Sequence, residues 1–149
     1  MMRGGPALTS VYLCFVCLLA LKPQPAANPC SRDIRRNLNS YIEKAPELKW
    51  LNCSLYTPTT ADYQQKCPIS TLKCFADEIE VLTKEWDIVG ENKFYRFGLN
   101  RKLKQIFNKT ETGCLQCERL KEKDAKHFLE ELQTILQFIF NKYCSKRAS

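Results

Sequence analysis

Nine cysteines limit the folds that this 149-residue chain can adopt. Cys14 and Cys17 lie near the N-terminus, and the other seven are spread from Cys30 to Cys144. In an exported chain of this size such cysteines indicate a disulfide framework. In a reducing compartment they would instead suggest metal ligands or reactive thiols. The interpretation of the cysteines therefore depends on whether the chain is exported.

The N-terminal 27 residues have the features of a secretory signal peptide. Arg3 supplies a basic start, residues 11–21 form an apolar run, and small residues precede Asn28. The run is too short to span a bilayer, which needs about 20 apolar residues. We predict a leader over residues 1–27, cleaved between Pro23 and Asn28, and a secreted domain over residues 28–149 without membrane insertion.

Export agrees with two glycosylation sequons, which begin at Asn52 and Asn108. Loss of the leader would lower the formal charge from +7 to +5, because Arg3 and Lys22 lie within it. A moderate positive charge does not by itself indicate nucleic-acid binding, but it favours acidic surfaces such as sulfated glycans.

The first two helices are predicted from apolar residues that recur every three or four positions. Ser31 is suited to cap the first helix, and Pro46 ends it. About twenty residues without clear periodicity follow, a length typical of a crossover or a functional loop. The second helix begins at Pro68, and Gly90 marks its end.

Two further helices complete the pattern. Asn92 is suited to cap a third, weaker helix with Phe94, Phe97, Leu103, Ile106 and Phe107 on its inner side, in which Gly98 is an unfavourable residue. The fourth is predicted from about Glu118 to Tyr143, with Leu120 on its apolar side. Four amphipathic helices in about 120 residues predict an all-α bundle, and the long first connection allows the up-up-down-down arrangement.

Helix geometry restricts how two close cysteine pairs can be joined. Cys67 and Cys74 are seven residues apart, whereas Cys114 and Cys117 are three apart. These separations correspond to rises of about 10 Å and 4.5 Å along a helix. Two bonds between the pairs cannot form between two straight helices, so we predict that Cys67 lies in the loop before Pro68.

Several segments of the chain resemble the interleukin-15 family of short-chain four-helix cytokines, to which interleukin-2 is a more remote relative. The resemblance covers somewhat more than half of the predicted mature chain. It rests on the two cysteine spacings and on Leu55-Tyr-Thr, Lys73-Cys-Phe-Ala-Asp-Glu-Ile-Glu-Val-Leu, Asn108-Lys-Thr-Glu-Thr-Gly-Cys-Leu-Gln-Cys-Glu-Arg-Leu, and Lys126-His-Phe-Leu onward to Gln137-Phe-Ile-Phe-Asn.

The resemblance implies disulfides Cys67–Cys114 and Cys74–Cys117. A third bond, Cys30–Cys144, is expected because the two chain ends meet at one end of an up-up-down-down bundle. A similar tie occurs in interleukin-4-like cytokines. Cys53 is then left over, either as a free thiol or for pairing between chains.

The resemblance also implies binding to a private alpha receptor chain, a shared beta chain and the common gamma chain. By position, Tyr56, Glu78 and Glu85 correspond to alpha-chain contacts. The two carboxylates are seven residues apart and so share one side of the second helix, at the edge of its apolar stripe. A solvated helix face is the simpler interpretation of the spacing alone. Asp77 stands where the family has an apolar contact.

Two further candidates lie on the first and fourth helices. Gln137 matches the family's gamma-chain glutamine. Asp33 is the acidic residue suited to contact the beta chain, and Asn37 and Asn39 are alternatives for that position.

A basic run without acidic residues lies around the predicted third helix. The simplest interpretation is a solvated face, and heparin-type glycan binding is second. Its members are Lys93, Arg96, Arg101, Lys102, Lys104 and Lys109.

Other classes of function have less support. No cofactor is expected, and the only histidine, His127, belongs to no recognisable catalytic set. Cys114 and Cys117 have the spacing of a zinc or redox motif and, with Cys67 and Cys74, would complete a four-thiolate site, but export favours disulfides. The alternative binding function is that of a disulfide-rich secreted helical protein that binds lipids or membranes.

Overall fold

The computed structural model describes residues 30–107, 109 and 111–144. The predicted leader and the sequon residue Asn108 lie outside this part of the chain. The described residues form five α-helices and two short strands. In chain order these are α1 (Arg32–Lys44), β1 (Ser54–Tyr56), α2 (Pro68–Ile88), α3 (Phe94–Phe97), α4 (Leu99–Lys104), β2 (Glu122–Asp124) and α5 (Ala125–Tyr143).

The first two helices begin where the sequence predicts. The Ser31 hydroxyl accepts a hydrogen bond of 3.1 Å from the Asp33 N–H and so caps α1. Pro46 lies in a 3₁₀ turn, Ala45–Leu51, that continues from α1 and ends at Asn52. Pro68 is the first residue of α2, where its missing N–H costs no helical hydrogen bond.

The predicted third helix is divided into α3 and α4 by Gly98. This glycine has φ of 60°, and a Cβ there would lie 2.7 Å from the Arg101 guanidinium. The prediction that Asn92 caps the helix is wrong, because Lys93 precedes α3 and no side chain caps it. A left-handed residue is incompatible with one continuous helix.

The predicted start of the fourth helix is also wrong. Helix α5 begins at Ala125, and the Asp124 carboxylate caps it by accepting a 2.9 Å hydrogen bond from the His127 N–H. Residues 117–119 form a 3₁₀ turn, and Leu120 lies outside the helix. The backbone before Asp124 instead pairs with β1, a partner that local periodicity does not show.

Two long connections, from α1 to α2 (the first crossover) and from α4 to α5 (the second crossover), meet in a small antiparallel ladder. Ser54 pairs with Asp124, and Tyr56 pairs with Glu122. Beyond the ladder the Thr57 N–H donates to the Lys121 carbonyl at 2.8 Å. The long connections of the up-up-down-down bundle are therefore attached to each other and to the helices beneath them.

Three disulfides close the described structure. Cys30–Cys144 joins the start of α1 to the end of α5, and Cys67–Cys114 and Cys74–Cys117 attach the second crossover to the start of α2. Cys67 lies immediately before Pro68, outside the helix, as the difference in helical rise predicts. The segment that carries Cys114 and Cys117 is a loop and not the start of a helix.

Aromatic side chains form one end of the core. The ring centroids of Tyr41 and Phe94 are 4.6 Å apart, and those of Trp86 and Phe94 are 5.0 Å apart. The Tyr41 hydroxyl and the Thr83 hydroxyl are 2.5 Å apart, and Thr83 in turn donates to the Ile79 carbonyl. Contact between α1, α2 and α3 thus buries the three rings and gives the Tyr41 hydroxyl a hydrogen-bond partner among them.

Cys53 is the free cysteine of the described residues, and it is buried. Its thiol donates a 3.0 Å hydrogen bond to Glu85 Oε2. Burial raises the pKa of this thiol to about 12, and the neighbouring Glu85 carboxylate contributes a smaller part of the increase. Pairing between folded chains through Cys53 is therefore disfavoured.

A thiol titration tests this arrangement. Mature protein without residues 1–27 is expected to show no reaction with a thiol reagent at pH of about 8 while folded, because the thiolate is the reactive form. After unfolding without reductant it is expected to show one thiol per chain. More than one thiol in the unfolded protein would contradict the three disulfides, and rapid reaction of the folded protein would contradict the burial of Cys53.

Candidate functional site

A carboxylate of α2 holds the first strand in place. Glu78 Oε1 accepts a 2.7 Å hydrogen bond from the Tyr56 N–H, and Glu78 is 8% exposed. The bond joins two of the residues that the family resemblance singled out in the sequence analysis. It also shows that Glu78 does not simply project into solvent: one oxygen is used internally, and no described residue is hydrogen-bonded to the other.

Three more carboxylates surround Glu78. Asp77 is its neighbour in α2, Glu118 lies in the 3₁₀ turn, and Glu122 lies in β2 directly opposite Tyr56. Together with Tyr56 and Glu78 they form what we call the acidic surface. Burial is the main cause that raises the pKa of Glu78 above its ordinary value, and repulsion from these three carboxylates adds to it, against the hydrogen bond from Tyr56.

Sequence reasoning missed Glu118 and Glu122. Both precede α5 and are exposed, and their position beside Glu78 depends on the disulfide loop and on the β1–β2 ladder. No local pattern predicts such a ladder from two strands of three residues. Asp77 is in part neutralised, because Lys104 of α4 lies 3.0 Å from its Oδ1.

Glu85 lies two turns further along α2, on the same side as Glu78. It is half-buried, and its Oε2 accepts the hydrogen bond from Cys53 described above. The structure therefore brings Tyr56, Glu78 and Glu85 to one side of α2, beneath the chain that runs from Cys53 through β1. Both carboxylates have an internal partner, which holds their orientation.

Gln137 lies on a different face, between α1 and α5. It is exposed, its amide donates to Asn141 Oδ1 at 3.0 Å, and it lines a groove of about 150 Å³. The exposed Asn39 lines the same groove from α1, and Arg35 lies over the Phe140 ring at 4.8 Å from its centroid. With Gln133, which also lines the groove, this face offers three amides beside apolar side chains.

The structure separates the candidates on α1. Asp33 is exposed at the start of the helix and is 3.5 Å from Arg36, an ion pair of little energetic weight. Asn37 is 7% exposed, and its amide donates to the Phe97 carbonyl at 3.4 Å, so it is a core residue. Asn39 is exposed but lies about 120° around the helix from Asp33.

The basic run lies along α3 and α4. Lys93, Arg96 and Arg101 are exposed, and no described acidic side chain forms an ion pair with them. Lys104 differs because it pairs with Asp77. The exposed cations remain available to an anionic partner.

The structure leaves no thiolates for the four-cysteine metal site that the spacing alone permits. Cys67 and Cys114 lie near Glu111, but their sulfurs are bonded to each other, and those of Cys74 and Cys117 are likewise joined. His127 is exposed, and its ring lies 2.6 Å from the cap residue Asp124. Among the described helices, none has the length and apolar character needed to cross a membrane.

Comparisons with known proteins agree on one family. The sequence model of the Interleukin 15 family matches residues 12–141 of this chain. Interleukin-15 of Marmota himalayana is 34% identical over 128 residues, which are 84% of this chain and 76% of that protein. Interleukin-15 of Bos taurus is 34% identical over 131 residues, with the same shares. Interleukin-15 of Mus musculus is 28% identical over 152 residues, 89% of this chain and 91% of that protein.

The raised pKa of Glu78 predicts how stability depends on pH. A carboxyl whose pKa is higher in the folded than in the unfolded state binds protons more readily when folded. Its charge therefore costs stability near neutral pH, and this cost falls as the pH approaches the folded-state pKa. Relative to Glu78→Gln, which cannot titrate, the wild type should gain free energy of unfolding as the pH falls from about 7 to about 4, and the gain is complete below the pKa of the unfolded state.

Urea unfolding of both proteins across this range measures the difference. Glu130→Gln is the matched control, because Glu130 is exposed on α5. A difference between wild type and Glu78→Gln that stays constant with pH would show that the Glu78 pKa is not raised in the folded protein.

Proposed function

Because the chain belongs to the interleukin-15 family, we propose that it is a secreted cytokine that acts by binding and assembling cell-surface receptor chains. The family is one of cytokines, so the protein is a messenger and not an enzyme. The receptor chains proposed are an interleukin-15-type alpha chain, a shared beta chain and the common gamma chain, and the response is lymphocyte proliferation, survival or activation. Export is proposed from the features of residues 1–27.

The acidic surface is the proposed alpha-chain site. The observation that carries it is the hydrogen bond from the Tyr56 N–H to Glu78, because it fixes the strand and the carboxylate together before a partner arrives. Glu118 and Glu122 extend the negative charge across the second crossover. On a chain with net positive charge, such a local acidic area suits a partner rich in Arg or Lys.

The groove between α1 and α5 is the proposed gamma-chain site. Gln137 and Asn39 supply amides that can donate and accept hydrogen bonds beside an apolar floor that includes Leu136. Asp33 remains the proposed beta-chain contact, because Asn37 is buried and Asn39 belongs to the groove. Gln137 already bonds to Asn141, so a receptor must replace or extend that contact.

Surface binding with separate receptor ectodomains tests these assignments. Reversal of the two exposed charges in Glu118→Lys/Glu122→Lys is expected to lower the association rate with the alpha chain by roughly tenfold at low salt, since steering is lost. Glu130→Lys/Glu131→Lys makes the same charge change on α5 and is expected to leave that rate nearly unchanged.

Gln137→Ala provides the second arm. It is expected to lower capture of the gamma chain by roughly fivefold, about 1 kcal/mol for one lost hydrogen bond, and to leave alpha-chain binding unchanged. Gln105→Ala, at the exposed end of α4, is its control. Equal association rates of the acidic-surface variant and its control would contradict the proposed alpha-chain site. Unaltered gamma-chain capture in Gln137→Ala would contradict the proposed gamma-chain site in the groove.

A second binding activity, for heparin-type glycans, is proposed for the basic run. The supporting observation is that Lys93, Arg96 and Arg101 are exposed without acidic partners among the described residues. Replacing all three by Gln is expected to lower the salt concentration at which the protein leaves a heparin column, because fewer sulfates are neutralised. Lys126→Gln/Lys142→Gln on α5 is the control, and a loss as large in the control would contradict a localised site.

A further inference from the structure

The two tryptophans of this chain have opposite surroundings. Trp86 is fully buried in the aromatic core, whereas Trp50 is 68% exposed. No hydrogen bond, ring contact or cation contact joins the Trp50 indole to another described residue. An exposed indole leaves a large apolar surface in water, and a group that covers the ring removes that surface from water.

Two residues further on, Asn52 begins the sequon Asn52-Cys53-Ser54. Asn52 is exposed, and it is the non-glycine residue with positive φ among the described residues, at φ 55° and ψ 44°. Asparagine tolerates this left-handed conformation better than most residues. Its N–H donates to the Lys49 carbonyl at 3.0 Å, which closes a tight turn over residues 49–52.

The turn brings Trp50 and Asn52 to the outside of the molecule at closely spaced backbone positions. Two residues span at most about 7 Å between their Cα atoms. The intervening Leu51 packs against the core, while Trp50 and Asn52 are both exposed. A group attached to the Asn52 side chain therefore begins on the same exposed turn as Trp50, at a backbone position no more than about 7 Å away.

We propose that Asn52 carries an N-linked glycan and that the first N-acetylglucosamine of this glycan lies against the Trp50 indole. A pyranose ring has a face of C–H groups, and an aromatic face attracts their partial positive charge while both surfaces leave water. Trp50 then serves as a platform for the sugar. This inference rests on the proposed export, because glycosylation of this kind occurs in the secretory pathway.

The covalent step needs a donor from the secretory pathway. The Asn52 Nδ2 forms a bond to the anomeric carbon of an oligosaccharide carried on a lipid pyrophosphate. The bond from that carbon to the pyrophosphate oxygen breaks, the lipid pyrophosphate leaves with the bonding electrons, and Nδ2 loses one proton to a base of the transferase. No oxidant or reductant is required.

The test uses the full chain expressed in a mammalian secretory cell line that makes high-mannose glycans, and protein collected from the medium. Glycopeptide mass spectrometry measures occupancy of Asn52. One portion is then treated with an endoglycosidase that leaves the first N-acetylglucosamine, and another with an amidase that removes the whole glycan. Acrylamide quenching of tryptophan fluorescence measures the accessibility of Trp50, and Trp50→Ala gives the contribution of Trp86 alone.

Complete removal of the glycan is expected to raise quenching of the Trp50 emission about twofold, because a sugar on one face covers about half of the ring. Trimming to one N-acetylglucosamine should leave quenching as it is in the intact glycoprotein. Asn108→Gln, which removes the other sequon, should change neither result. Trp50→Ala should show no response of its emission to either enzyme, since Trp86 is buried.

Several results would overturn the inference. Secreted protein with Asn52 unoccupied would do so, as would quenching that is the same before and after complete removal of the glycan. If Trp50→Ala weakens receptor binding while the glycan leaves quenching unaffected, the indole belongs to a protein partner. Failure of the chain to reach the medium would instead deny the proposed export, and loss of receptor binding alone would affect only the proposed function.

Discussion

Two disulfides between the start of α2 and the second crossover impose the constraint on which the rest of this structure depends. Cys67–Cys114 and Cys74–Cys117 are separated in sequence by 47 and 43 residues. Closing loops of this length stabilises a fold by about 4 kcal/mol each on a chain-entropy model. Their larger consequence is positional, because they hold a segment with little core of its own against α2.

That constraint links the fold to the acidic surface. Once Cys117 is held at α2, the chain that follows it can pair with β1, and Glu122 comes to lie opposite Tyr56. Tyr56 in turn donates to Glu78. Side chains from α2, the 3₁₀ turn and β2 thus form one acidic surface. The second face, around Gln137, depends instead on the packing of α1 against α5 and on Cys30–Cys144.

Sequence alone predicted what depends on local pattern and missed what depends on distant backbone pairing. The start of α2 followed from the suitability of Pro68 for a first helical position, and the position of Cys67 outside the helix followed from the cysteine spacing. The start of α5 did not, because Asp124 is both a cap residue and the ladder partner of Ser54. The resemblance singled out Glu78 by its position, but the sequence did not predict its hydrogen bond to the backbone of β1. Asn37, polar and on α1, gave no sign that its amide reaches the Phe97 carbonyl in the core.

Amide hydrogen exchange at Tyr56 tests this account most directly, because that N–H is protected by Glu78. In a Cys74→Ala/Cys117→Ala variant, the account predicts exchange at least about tenfold faster at Tyr56, a local opening easier by ~1.4 kcal/mol. A Cys30→Ala/Cys144→Ala variant lacks the disulfide between the start of α1 and the end of α5. Its exchange rate at Tyr56 should stay close to that of the wild type. Equal rates at Tyr56 in the wild type and the Cys74→Ala/Cys117→Ala variant would contradict the claim that this disulfide holds the acidic surface together.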